Sequence, residues 1–328
     1  MKPSFGGRFE MAEMFWDLAA DTWGDEERAA IDRVVKSGRY TIGPEVAAFE
    51  EAFAAYHGKR HAVMVNSGSS ANLVAVASLF HKKDRPLQPG DEVIVPAISW
   101  ATTYHPFQQY GLKLRFVDVE LDTLNIDTTQ LQAALTPKTK AIVAVSILGN
   151  PAALDIMRAF ADAHGLTMLE DNCESLDAEL NGQKTGTFGD IGTFSFFFSH
   201  HISTGEGGML ITDDAELDAL ARAVRAHGWI RDIPDGLDLF EEGEDSFAEA
   251  YRFVIPGYNL RPQEFNGAAG LEQPNDQLFR VQTARHVAKQ HRGFVDAPVV
   301  GHPGVPDLDH VGPHRIGNLQ RLAQRAAG

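Results

Sequence analysis

The chain is poor in cysteine, in basic residues and in long apolar runs, and each shortage removes a class of function. Its 328 residues contain a single cysteine, Cys173, so neither an intramolecular disulfide nor a four-cysteine iron–sulfur site can form within it. Twenty-nine Lys and Arg stand against 45 Asp and Glu, a formal charge of −16. That argues against nucleic acid or an anionic membrane surface as partner, since either wants a basic face. A small phosphorylated ligand stays open, because a few backbone amides hold one phosphate. No apolar run reaches the length of a membrane span, and the N-terminal MKPSFGGRFEMAEMFW carries no signal-peptide core; a cytoplasmic protein is expected. Lysine is missing at every position between Lys184 and Lys289. What remains, 44% hydrophobic and 23% charged residues, is an ordinary globular composition over a length that suits a large α/β core and a smaller second unit.

The hydrophobic pattern alternates strands with helices of about ten residues. After two N-terminal helices, the second from Glu45 to Tyr56, strands are expected at His61–Val65, Glu92–Pro96, Leu114–Val119, Ala141–Leu148 and Leu166–Glu170, with helices between them. A strongly apolar strand then starts at Ile191 and a hairpin strand at Met209, before a helix from Asp214 to His227. Such alternation implies an α/β fold with a mainly parallel sheet flanked by helices on both sides. Ile191, Phe194, Phe196, Phe197 and Phe198 suit a strand buried on both faces. The rhythm breaks in the acidic stretch 232–249, read as an exposed insertion, and again beyond residue 274. The organisation expected is an N-terminal segment 1–30, a large α/β domain 31–273 and an atypical C-terminal remnant 274–328.

Several groups fall where strands of such a sheet end, the edge at which ligands usually sit. Asn66-Ser67-Gly68-Ser69-Ser70 joins a strand to a helix; it reads either as a phosphate-binding turn or as a serine cap on an ordinary helix. Ser195 adds a hydroxyl to the same phosphate or is a strand serine with a local partner. Asp171 ends an apolar strand in MLEDNCES, placed to contact a charged ring nitrogen or to cap a turn. Glu174 lies three residues on and reads equally as solvated. Trp100 stacks on a flat ring or packs in the core. His200 and His201 are adjacent, so on an extended backbone only one enters a site; a histidine there suits proton shuttling, and the alternative is a surface pair. No spacing supports a metal site.

Together, SGSSANL, PAISWATTYHP, LGNPAALD, LEDNCES, GTFSFFFSHHISTGEGGML and GYNLRP, in that order between about Arg28 and Gln273, resemble the pyridoxal-phosphate-dependent nucleotide-sugar aminotransferase and dehydratase family. The resemblance implies the fold type I of aspartate aminotransferase, with a mainly parallel seven-stranded sheet and a small C-terminal domain that is truncated or aberrant here. In most of the family a lysine anchors the cofactor five residues after the strand serine. In this chain that position is His200, the mark of the 3-dehydratase branch. By the resemblance, His200 is the catalytic base and Gly68, Ser69 and Ser195 hold the phosphate of pyridoxal or pyridoxamine 5'-phosphate. Trp100 stacks on its ring, Asp171 pairs with the ring nitrogen, and Glu174 lies near the 3-hydroxyl. Asn259 reaches the neighbouring subunit's cofactor, which implies a homodimer with shared sites. The expected activity is removal of the 3-hydroxyl from a nucleotide-linked 4-keto-6-deoxy sugar, with L-glutamate as amino donor, in deoxysugar and O-antigen biosynthesis. The cysteine count selects the type without an iron–sulfur cluster. The nucleotide (GDP, CDP or TDP) stays open, although the likeness is to the GDP-linked branch. A sugar aminotransferase and a non-catalytic cofactor-binding paralogue remain as alternatives. Asp177 stands where the family usually has glycine.

Overall fold

The computed structural model describes residues 22–231, 233, 240, 245–249 and 251–273; the expected remnant 274–328 and most of the acidic insertion lie outside these. Helices α1 (Asp25–Ser37) and α2 (Pro44–Tyr56) precede strand β1 (His61–Val65) and helix α3 (Gly68–Leu79). Then come β2 (Glu92–Pro96), α4 (Ala101–Gln109), β3 (Lys113–Val117), the short α5 (Leu131–Ala134), β4 (Thr139–Val145), α6 (Leu154–His164) and β5 (Thr167–Asp171). A two-residue hairpin, β6 (Glu179–Leu180) and β7 (Gln183–Lys184), leads to β8 (Ile191–Ser195), β9 (Gly208–Thr212), α7 (Ala215–Arg225), α8 (Ser246–Glu249) and α9 (Glu264–Glu272). Helix α1 runs across the expected segment boundary at residue 30 and packs Ala30 and Val34 against Ala268 of α9.

Seven strands form one sheet in the order β1-β9-β8-β5-β4-β2-β3. Strand β9 runs antiparallel to β1 and β8, and the other pairings are parallel, so the mainly parallel seven-stranded sheet expected from the sequence is present. Side chains alternate across it with period two. Val93, Val95, Ala141 and Val143 face a core shared with α3 and α7, while Ile94, Ile142 and Ala144 face the core under α6. Helix α2 covers a third cluster, in which Phe49 and Phe53 meet Phe194 and Phe196. Among the described residues, no helix is long and apolar enough to cross a membrane.

The strand expected to continue through the phenylalanine run ends sooner. Ile191, Phe194 and Phe196 are buried, but β8 stops at Ser195, and Phe197 and Phe198 are exposed. The His200 amide donates to the Phe197 carbonyl at 2.9 Å, so the chain turns there and the histidines do not lie on an extended backbone. The position expected to prefer glycine is also accounted for. Asp177 has φ 65, in the left-handed region where aspartate is better tolerated than most residues. Its carboxylate accepts from Lys184 Nζ at 2.6 Å and from the Tyr56 hydroxyl, contacts a glycine would not make.

His57, at the end of α2, is a buried titratable group outside the sheet edge. Its Nδ1 lies 3.0 Å from the Phe53 carbonyl, its Nε2 has no hydrogen-bond partner, and its ring packs on Phe53 and Phe194. Burial pushes its pKa down to about 4. Between that value and the ordinary ~6.5 the unfolded chain binds the extra proton and the folded one does not, so stability falls as pH drops through this window. The expected contribution is a loss of about 2–3 kcal/mol by the acid end of the window. Urea midpoints of the wild type and His57→Gln at neutral and mildly acidic pH check this: the variant loses less stability on acidification.

Candidate active site

Parallel strands deliver their carboxyl ends to one edge, and there β1, β5 and β8 bring together residues more than a hundred positions apart. The turn after β1 packs directly on the end of β8. A Cβ placed at Gly68 would lie 2.4 Å from Ser195 Cβ and 2.9 Å from both Ser195 Oγ and Cys173 Sγ, so only glycine fits. Ser67 is the N-cap of α3, its Oγ accepting from the Ser70 amide at 3.1 Å; the serine-cap reading is therefore correct for Ser67. It leaves the first-turn amides at Gly68 and Ser69, which have no carbonyl one turn back within the helix. Ser195 Oγ accepts from the Phe197 amide at 3.3 Å, and its own proton remains available to donate. Ser69 Oγ donates to Thr102 Oγ1 at 2.8 Å, tying this turn to α4. Trp100 is the N-cap of that helix and the residue is 72% exposed, so it is not a core tryptophan.

Asp171, the last residue of β5, is buried and surrounded by donors. Its Oδ2 accepts from Asn72 Nδ2 at 2.8 Å and from Thr103 Oγ1 at 2.7 Å, and its Oδ1 accepts from the Cys173 amide at 3.2 Å. Neighbouring Glu170 points to the opposite face, as strand geometry requires, and holds the amides of Gly186 and Gly189 instead. Burial pushes the Cys173 thiol well up, and the Asp171 charge pushes the same way, so this cysteine is held as a neutral thiol.

His200 sits in the turn beyond β8, half-buried. Burial lowers its pKa, against an opposing pull from the Asp171 carboxylate. An imidazole held in this direction is a neutral base near neutral pH. Burial lowers the His201 pKa and the neighbouring His200 lowers it further, against opposing pulls from Asp177 and Glu174; His201 is the more exposed of the two. The turn is held from below: Gln273 Oε1 accepts from the Ser203 amide at 3.0 Å, and Trp23 Nε1 donates to the Ser203 carbonyl at 2.7 Å. Asn266 donates to the Thr204 carbonyl at 2.9 Å.

Two expected site residues stand differently. Glu174 is not simply solvated, since its Oε2 accepts from the Leu148 amide at 2.8 Å. Asn259 is exposed, with Oδ1 accepting from Arg261 Nε at 3.1 Å, and the next residue's carbonyl accepts from the Asn66 amide at 3.0 Å beside the turn that starts α3. Sequence reasoning missed Asn72, Thr103, Thr193 and Gln273. Only Asn72 left a signal, as an amide inside the otherwise small and apolar helix GSSANLVAVASL. Among the described residues, no group of three or more His, Cys, Asp or Glu side chains is arranged to hold a metal.

The sheet order and the loaded carboxyl edge define an α/β protein of the aminotransferase-like fold. The sequence profile of the DegT/DnrJ/EryC1/StrS aminotransferase family matches residues 21–309, and the chain belongs to that family. It is 51% identical over 257 residues to the GDP-4-keto-6-deoxy-D-mannose 3-dehydratase of Yersinia pseudotuberculosis, an alignment covering 78% of this chain and 65% of that protein. Among solved structures it resembles GDP-4-keto-6-deoxymannose-3-dehydratase with a trapped PLP-glutamate geminal diamine, with TM-score 0.81 and 45% identity over 86% of this chain and 74% of that one. The E. coli GDP-4-keto-6-deoxy-D-mannose-3-dehydratase with bound hydrated PLP matches with TM-score 0.80 and 46% identity, covering 86% of this chain and 73% of that one.

Proposed function

We propose that this chain removes the 3-hydroxyl of a GDP-linked 4-keto-6-deoxy sugar, using pyridoxamine 5'-phosphate with L-glutamate as amino donor. The carrying observation is an imidazole, His200, in the turn five residues beyond Ser195 at the end of β8, in a stretch without lysine. The relatives support the substrate class, because the Yersinia protein and the two solved dehydratases carry that activity in their names.

The donor set suits the cofactor. The Gly68 and Ser69 amides and the Ser195 hydroxyl would hold a phosphate at a helix N-terminus, and Asp171 offers Oδ1 to a ring nitrogen. Trp100 would lie over the ring and Glu174 near the 3-hydroxyl. When bound, pyridoxamine phosphate supplies an amine for the sugar ketone and an electron sink for expelling the hydroxyl. With no lysine to anchor it, binding depends on these non-covalent contacts. With that group bound, His200, neutral at rest, would serve as the base for its methylene proton and, once protonated, would give the proton to the departing 3-hydroxyl oxygen. The balance is glutamate plus hydroxyketosugar giving 2-oxoglutarate, 3-deoxyketosugar and ammonia, with two electrons passing from glutamate to the sugar carbon. No step needs an iron–sulfur cluster, in keeping with the one cysteine. The working form is a cytoplasmic homodimer in which Asn259 reaches the neighbouring subunit's phosphate.

The test is to incubate the pure chain with GDP-4-keto-6-deoxymannose, cofactor and glutamate. Equal amounts of ammonia, 2-oxoglutarate and 3-deoxyketosugar are expected. An amino sugar without ammonia would make the chain an aminotransferase, and bound cofactor without turnover would make it a non-catalytic paralogue.

A further inference from the structure

The side chain that holds Asp171 comes from the helix that begins at the phosphate turn. Asn72 follows Gly68 by four residues, one turn along the same face of α3. Its Nδ2 donates to Asp171 Oδ2 at 2.8 Å and lies 3.4 Å from the Thr102 carbonyl. Its Oδ1 accepts from Thr193 Oγ1 at 2.6 Å. The amide orientation follows from chemistry: a carboxylate and a carbonyl only accept, so the nitrogen must face both. Thr103 completes the set, donating to the same Asp171 oxygen at 2.7 Å and contacting Ser99 Oγ at 2.8 Å. Asn72, Thr103, Asp171 and Thr193 are all buried, so water does not substitute for these bonds.

We propose that Asn72 is a positioning residue that fixes the Asp171 carboxylate for the cofactor ring nitrogen, in register with the phosphate cradle one helical turn before it. One rigid helix thereby sets the spacing between the two ends of the cofactor. With Oδ2 occupied by Asn72 and Thr103, Oδ1, which accepts the longer 3.2 Å bond from the Cys173 amide, keeps a lone pair for the ring nitrogen. Removing a donor from Oδ2 takes away a bond that holds the carboxylate in place and releases its rotation, which weakens its hold on a protonated ring nitrogen. The inference rests on Asp171 as the ring-nitrogen partner.

The experiment uses pyridoxamine 5'-phosphate labelled with nitrogen-15 in the ring, bound to the full chain at neutral pH. The wild type should give a pyridinium nitrogen signal. Asn72→Leu, which leaves Thr193 its second contact with the Glu170 carbonyl at 3.2 Å, should move that signal toward neutral pyridine. It should also lower kcat about tenfold with little change in KM for the sugar. Thr103→Val removes the other donor to the same oxygen and must move the signal the same way; it serves as the readout should Asn72→Leu fail to fold. A ring nitrogen that stays pyridinium in the folded variants overturns the positioning role while leaving the cofactor reading intact. A wild-type chain whose bound cofactor shows no pyridinium overturns both.

Discussion

His200→Asn should lower turnover by about a hundredfold to ten-thousandfold, the range expected when a positioned general base is removed. Cofactor and sugar should still bind, because Gly68 and Ser69 at the start of α3 and Asp171 at the end of β5 lie on other elements, and Asp171 keeps its partners. Asparagine retains polarity and approximate size, so the Phe197 to Gly205 turn, held through Ser203 and Thr204 by Gln273, Trp23 and Asn266, should persist. Single-turnover formation of 3-deoxyketosugar, beside cofactor binding measured by absorbance, separates the chemical step from affinity. The wild-type profile should fall on its acid side below the ordinary histidine range, since burial holds His200 low and its neutral form is the active one. That limb should vanish in the variant. His201→Asn should be mild by comparison, because His201 is exposed whereas His200 is half-buried. Equal losses in the two variants would exchange their roles.

Gly68→Ala should cost most of the cofactor affinity. The new methyl would meet Ser195 Cβ at 2.4 Å and Cys173 Sγ at 2.9 Å. Neither neighbour is the free end of a long side chain, so α3 must withdraw from β8. Overpacking of this kind costs about 1–3 kcal/mol, and here it falls on the turn proposed to hold the phosphate. Binding of pyridoxamine phosphate, titrated by fluorescence quenching, should weaken by about ten- to a hundredfold, from ~1.4 kcal/mol per factor of ten. Ser69→Ala removes one hydroxyl and no space; it should weaken binding less. Unchanged affinity in Gly68→Ala would show that the phosphate does not sit on this turn.

Much of the fold was legible because it is written in local alternation. Val93 and Ile94, or Ile142 and Val143, face opposite cores as their period of two requires. The turn after β1 was legible through its small polar residues. The end of β8 was not: the phenylalanine run reads as one strand, yet Phe197 and Phe198 leave it because the chain must turn back toward β9, and composition does not record where a sheet edge lies. Asp177 presents a departure from glycine in sequence, and the structure explains it by a left-handed backbone and two partners, Tyr56 and Lys184. The partners of Asp171 stayed hidden because they are tertiary. Asn72 lies 99 positions and Thr103 68 positions away, and no local rule links a helix amide to a strand carboxylate at such separations.

The most direct measurement is intact mass after borohydride treatment of the wild type and His200→Lys, each loaded with pyridoxal phosphate. The wild type should gain nothing, because an imidazole forms no reducible link to the cofactor. The lysine variant should gain one reduced cofactor per chain, located by peptide mapping at position 200. Cofactor fixed to the wild type, or none fixed to the variant, would contradict an imidazole facing the cofactor at this place.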